Sequence, residues 1–347
     1  MHPMKIIPYF YRASQRFEDD DITVTTLVTH DRFEVLRKLA VRYDGPLSVT
    51  IHLPFQPEST DLFPSALNDS ITVLHSLVLR TPALSARADV HLVLSPYPRA
   101  FNAWRNIARL FARTGYVLLL DVDFAICTQW RTQVLDLLRK EDGEMARRMR
   151  EGSVALVLPA FEYVKADEGR DQAGFPRDKS ALLELVRGRK IAPFHASWAL
   201  GHNSTDYKRF YGARKGEMYR VTTYQSAYEP YVIVKRDAGG WCDERFTGYG
   251  GNKAACLFEM YLSGVSFYVL SDHFLIHQSH PYEEAARKSE RRYNRRVYAD
   301  FKEEACLRRV YLIRFRDEGV LNTTRAHNVR EECKKIRALA KLIPQVS

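Results

Sequence analysis

The sequence predicts an α/β fold, a single domain with a mostly parallel central sheet and flanking helices. Three observations predict it. Strand-like and helix-like patterns alternate from Ile22 to Phe124. The run Tyr116-Val117-Leu118-Leu119-Leu120 is apolar without polar relief, as in a strand covered on both faces. The chain has 347 residues, 46% hydrophobic and 27% charged, enough to bury one large core or two modest ones.

Residues 1–21 read as a lead-in, and its acidic end, Glu18-Asp19-Asp20-Asp21, as a solvated loop. The β-branched stretch 22–28 is a strand, and 31–43 is a helix with Phe33, Leu36, Leu39 and Ala40 on one face. Gly45-Pro46 turns the chain into a second strand, 47–53. A helix over 68–79 and a third strand over 90–94 follow. Residues 100–114 form a helix with Trp104, Ile107, Leu110 and Phe111 on its apolar side; Gly115 stops it before the apolar run. Such alternation gives parallel strands joined by right-handed crossovers. Residues 169–179 and 201–217 are loops, 252–262 a helix and 265–270 a late strand. The domain spans 22–315, and 316–347 is a tail.

The net charge of +10 and pI near 9.3 admit an anionic partner. Much of the surplus lies beyond Pro281, where 287–314 is interleaved with Glu290, Glu303 and Glu304 and led in by Glu283 and Glu284. Tyr293, Val297, Phe301 and Leu307 recur there at near-helical spacing. That pattern is an amphipathic helix with a solvated charged face, so no nucleic-acid partner is expected. The longest apolar runs are strand-length, short of the ~20 residues of a spanning helix; the expectation is a cytosolic protein, or one whose anchor is absent from this chain. Five cysteines without a CxxC pair speak against a zinc cluster, and their odd number leaves at least one free thiol. Sequons at Asn68, Asn203 and Asn322 lean toward the secretory pathway.

The chemistry centres on Leu120-Asp121-Val122-Asp123-Phe124, where the apolar strand ends in two carboxylates one residue apart. Ligands of open α/β sheets collect at such strand ends. Residues i and i+2 of a strand point the same way, and two adjacent carboxylates repel unless a cation lies between them. A divalent ion preferring hard oxygen ligands, Mn²⁺ or Mg²⁺, suits them. In the preceding helix Asn102, Arg105 and Asn106 share one face, suited to a nucleotide or to sugar hydroxyls. The segment 241–253 combines Asp243 and Glu244 with aromatics, glycines, Asn252 and Lys253. Its lysine can offset phosphate charge, and its carboxylates can act as a base on an attacking hydroxyl. Of His277 and His280, one can supply a third metal ligand.

Taken in order, these pieces resemble glycosyltransferase family 49, which includes the C-terminal domain of LARGE-type enzymes and a β-1,4-glucuronyltransferase. The matching residues include Tyr43 to Val49, Asn102-x-x-Arg105-Asn106, Leu120 to Phe124, Pro159-Ala160-Phe161-Glu162, Gly201-His202, Tyr219-Arg220-Val221, Glu229-Pro230-Tyr231-Val232, Arg245 to Lys253, and Ile276-His277. The resemblance implies a GT-A fold, a UDP-sugar donor, a glycan or glycoprotein acceptor, Mn²⁺ with Mg²⁺ as a substitute, and inversion at the anomeric carbon. It further implies Asp121, Asp123 and His277 as metal ligands, and Asn102, Arg105, Asn106, Asp121, Asn252 and Lys253 on the donor side. Asp243 and Glu244 are the candidate bases, with Glu162 behind them. Relatives reside in the Golgi lumen behind a membrane anchor. Gly251 stands where the family tends to carry a large aromatic, and the tail has no counterpart. The rival expectation is a glycan- or nucleotide-sugar-binding protein of the same fold that does not catalyse.

Overall fold

The computed structural model describes residues 4–55, 65–281, 284–316, 323–341 and 343. In chain order the strands are β1 (Lys5–Tyr11), β2 (Ile22–Thr29), β3 (Leu47–Pro54), β4 (Ala88–Ser95), β5 (Tyr116–Leu119), β6 (Phe124–Ile126), β7 (Val154–Leu158), β8 (Ala160–Tyr163), β9 (Ile191–Pro193), β10 (Met218–Arg220), β11 (Tyr231–Lys235), β12 (Ser266–Leu270) and β13 (Leu275–His277). The helices are α1 (Phe33–Arg42), α2 (Ser65–Arg80), α3 (Pro82–Arg87), α4 (Phe101–Leu110), α5 (Trp130–Leu138), α6 (Glu144–Arg150), α7 (Lys179–Arg187), α8 (Tyr207–Gly212), α9 (Asn252–Leu262), α10 (Glu284–Arg316) and α11 (Thr324–Cys333).

Among the described residues, nine strands form one sheet in the order β1-β4-β3-β2-β5-β11-β7-β12-β10. The expectation of a mostly parallel sheet holds in part, since β7 and β12 also pair in parallel but the edge strands β1 and β10 do not. Strands β4, β3, β2 and β5 pair in parallel, whereas β11 runs antiparallel to both β5 and β7. Both faces of β2 to β5 are covered, which explains the near-continuous burial of β3 and β4. A second sheet, β6-β13-β8-β9, receives the chain as it leaves β5. Asp121 and Asp123 therefore sit where one sheet hands the chain to the other.

Several expectations change. The lead-in contributes β1, which pairs antiparallel with β4 at the sheet edge. Asp21, expected in a solvated loop, is buried and ion-paired with Arg131. The helix read over 100–114 ends at Leu110, and Leu110 is exposed while Arg109 is buried. On α10 Phe301 is buried and Val297 packs against the core, but Tyr293 and Leu307 are exposed. The inner face instead runs through Asn294, Tyr298, Phe301 and Ala305, each three or four residues on from the last, and continues through Cys306 to Val310.

The tail contributes α11, which hydrogen-bonds to the end of α9 through Asn328 and is joined to α10 by the disulfide Cys306–Cys333. Cys242 and Cys256 form a second disulfide, leaving Cys127 free and buried. Asn68 and Asn203 are exposed; Asn322 and Glu283 lie outside the described residues. No helix among the described residues is long and apolar enough to cross a membrane.

Candidate active site

Asp121 follows the last buried residues of β5 and meets two cations. Its Oδ1 accepts from Arg105 Nη2 at 3.0 Å, and its Oδ2 accepts from Lys253 Nζ at 3.2 Å and from the Tyr231 hydroxyl at 3.1 Å. Burial alone would raise the Asp121 carboxyl, but the Lys253 and Arg105 charges overcome it and hold the group well below the usual carboxylate range. Lys253 is itself 8% exposed, with Nζ 3.7 Å from the centre of the Tyr231 ring. Burial lowers its ammonium, against the pull of Asp121 and Glu229. Charge of both signs is thus assembled here before any substrate arrives, at the cost of desolvation that only close pairing offsets.

Asp123 faces the second sheet. Arg32 Nε lies 3.3 Å from its Oδ1 and His280 Nε2 lies 3.4 Å from its Oδ2. Strand register brings His277 alongside: it pairs with Phe124 of β6 on one side and with Glu162 of β8 on the other. Burial pushes the His277 imidazole down to about 3, only partly countered by Asp123, so the ring is neutral and keeps a lone pair. The chemistry of this donor set, hard carboxylate and neutral imidazole, fits Mn²⁺. Among the described residues, however, no three His, Cys, Asp or Glu side chains are gathered into a finished coordination set.

The segment between β11 and α9 forms one wall, and α4 fastens it. Arg109 donates from Nε, Nη1 and Nη2 to the carbonyls of Arg236, Gly240 and Ala238, each at 2.6 Å. Asn106 exchanges hydrogen bonds with the backbone of Cys242 and donates to Glu244 Oε1 at 3.0 Å. Asn102, fully buried, donates to the carbonyls of Asp243 and Asn252, while Arg105 donates to Asn252 Oδ1 at 2.6 Å. These residues stand at i, i+3, i+4 and i+7, one face of a helix. The Cys242–Cys256 disulfide ties the same segment to α9.

From the other side α10 closes on it. Asn294 donates to the carbonyls of Thr247 and Tyr249, and Glu290 accepts from Tyr249 N–H at 2.9 Å. Gly248 is at φ 69° with the Glu290 carboxylate where a Cβ would stand, so glycine is required there both for its backbone and for its space. Gly251 is at φ 70°, and a Cβ on it would come 3.4 Å from the Tyr298 ring.

The structure brings Asn102, Arg105, Asp121, Asn252 and Lys253 into one connected cluster, with Asn106 next to it. Asp123 and His277 form a neighbouring group. Of the candidate bases, Asp243 is clamped by Arg245 through both oxygens, which lowers its carboxyl despite burial, and Arg245 also reaches Glu304. Glu162 accepts the His195 N–H at 2.8 Å, and burial raises its carboxyl. Arg32, Arg109 and His195 escaped the sequence reading; only Arg109 left a signal, continuing the Asn102/Arg105/Asn106 face by one turn.

Residues 95–309 match the family described as glycosyl-transferase for dystroglycan. The xylosyl- and glucuronyltransferase LARGE2 of Rattus norvegicus is 34% identical over 264 residues, covering 75% of this chain and 34% of that protein. LARGE1 of Homo sapiens is 27% identical over 280 residues, covering 78% of this chain and 32% of that protein. The chain thus spans about a third of the length of the curated relatives it matches. The crystal structure of S. aureus TarS 1-349 aligns over 92% of this chain and 73% of its own, at 12% identity and a TM-score of 0.44.

Proposed function

The chain belongs to the family of glycosyl-transferases for dystroglycan, and on that premise we propose that it is an inverting glycosyltransferase of GT-A fold. It moves a sugar, glucuronic acid in our reading, from a UDP-sugar to a glycan or glycoprotein acceptor. The observation that carries this is the placement of Asp121, between the Arg105 and Lys253 cations at the end of β5 and one residue from Asp123. A site binding a diphosphate needs fixed positive charge that does not collapse onto itself, and here each cation is held in place by a carboxylate.

Lys253 and Arg105 neutralise the donor phosphates and the charge that develops on UDP as it departs. Tyr231 and Asn252 hold those two side chains in place. Mn²⁺, with Mg²⁺ as a substitute, would be held by Asp121, Asp123 and His277 and would supply Lewis-acid charge at the diphosphate. The acceptor hydroxyl loses its proton to a carboxylate as its oxygen attacks the anomeric carbon. Asp243 and Glu244 remain the sequence candidates, but Asp243 is held ionised by Arg245, which makes it a weak base. Glu162, with its raised carboxyl beside His277, suits the task better. The Golgi lumen is the expected compartment, and the two disulfides accord with an oxidising one.

A panel of UDP-sugars tests the reading, with UDP release measured with and without Mn²⁺. Turnover with one donor, restored by Mn²⁺ after chelation, is the expected result. Asp121→Asn and Asp123→Asn should each fall below about a hundredth of wild-type turnover; retained turnover in both overturns the site. One observation favours a second reading, binding without transfer: no finished coordination set exists among the described residues. Tight UDP-sugar binding with no UDP release from any donor would select it.

A further inference from the structure

We propose that Trp198 is the platform on which a pyranose ring of the acceptor glycan stacks, at the open rim of the site. The inference rests on the transferase reading above and adds a residue that the donor chemistry does not call for. Residues 195–200 are all exposed, and within that run Trp198 and Leu200 are the large apolar side chains, at 43% and 51% exposure.

The segment is held in shape. His195 donates its N–H to Glu162, Trp198 N–H bonds to the His195 carbonyl at 2.8 Å, and Gly201 N–H bonds to the Trp198 carbonyl at 3.1 Å. The Gly201 carbonyl in turn accepts from Glu229 N–H at 2.8 Å. The indole rests on Gly201, where any Cβ would come within 2.8 Å of two ring carbons. The next residue, His202, is buried and lies within reach of the Lys253 and Asp121 charges. The platform thus rests on the residue that precedes a side chain packed on the site.

The clamped segment carries Tyr249, with the guanidinium carbons of Arg287 and Arg99 at 3.9 and 4.7 Å from its ring centre. Arg287 is near enough for its charge to act on His195. The donor diphosphate belongs on the floor, at Lys253 and Arg105, so the rim is left to the acceptor. The CH-rich face of a pyranose matches an indole, while its hydroxyls stay in water. Two apolar side chains are too small a patch for a stable protein partner, which needs roughly 800 Å² per side.

The test uses the full chain with p-nitrophenyl β-xyloside, β-glucoside and β-glucuronide as acceptors. Trp198→Ala should raise the acceptor KM roughly threefold to tenfold, and Trp198→Phe by less. UDP-sugar hydrolysis without acceptor should be unchanged in both variants. An unchanged acceptor KM in Trp198→Ala with intact hydrolysis overturns the platform. Absent hydrolysis in wild type counts against the transferase reading instead. In that event, glycoside quenching of wild-type tryptophan fluorescence that is lost in Trp198→Phe still supports the platform, and no quenching overturns it.

Discussion

The two walls of the site are built by opposite means. Residues 236–252 are fastened from two helices, by Asn102, Asn106 and Arg109 of α4 and by Glu290 and Asn294 of α10, with a disulfide besides. Residues 194–202 are fastened chiefly through their own backbone, and six consecutive side chains face water. The first wall carries Asn252 and Lys253, whose charges must already be in place when a diphosphate arrives. The second presents an apolar side chain that need only be available. Rigidity is concentrated where electrostatics demand it.

The comparison breaks most readily at Arg109. Arg109→Met should destabilise the protein by about 3–5 kcal/mol, since three carbonyls lose a charged donor; a denaturant midpoint equal to wild type would mean the wall holds without it. Next in size, Cys242→Ser with Cys256→Ser removes a cross-link of sequence separation 14. About 2–3 kcal/mol should be lost, with a rise in donor KM larger than any change in acceptor KM. The reverse order of KM effects would assign the wall to the acceptor.

Acid acts on the core and on the open wall together, since burial lowers His195 and His202 of that wall as it lowers two core histidines. Burial holds His91 and His273 each near 4. His91 Nδ1 accepts the Tyr9 N–H, a bond that protonation removes. The unfolded chain protonates these rings near 6.5 and the folded one only near 4, so the unfolded state binds more protons in between. Stability should fall by about 1.4 kcal/mol per pH unit for each histidine as pH drops from 6.5 toward 4. A thermal midpoint flat over that window would show the rings charged in the fold. The smallest effect belongs to the open wall: Leu200→Ser should change stability by less than about 0.5 kcal/mol, and a larger loss in chemical denaturation would show that this wall is packed after all.

The parts of this design that the sequence revealed are those with a local cause. An apolar run ending in two carboxylates marks Asp121 and Asp123 because burial and charge change within two residues. The face of Asn102, Arg105 and Asn106 was legible as a face, yet spacing does not say what lies opposite, and what lies opposite is a loop some 140 residues later in the chain. Arg109 was hidden because an arginine near the end of a helix ordinarily faces water; three distant carbonyls make its burial tolerable. The antiparallel insertion of β11 was illegible for a similar reason, since that strand enters between β5 and β7 from far along the chain. The exposure of Leu110, Tyr293 and Leu307 shows that apolar side chains on a helix need not lie on its inner stripe.

The contacts of α10 with Gly248 and Tyr249 also set a schedule. A chain synthesised from its N-terminus can pair β2, β3, β4 and β5 while the rest is still on the ribosome. The loop holding Asn252 and Lys253 cannot be clamped until Glu290 and Asn294 have emerged, and α10 itself is not cross-linked until Cys333 has followed. Assembly of the donor site is therefore among the last events in the birth of the molecule, and a chain truncated before α10 would carry every candidate site residue yet lack the clamp that holds them.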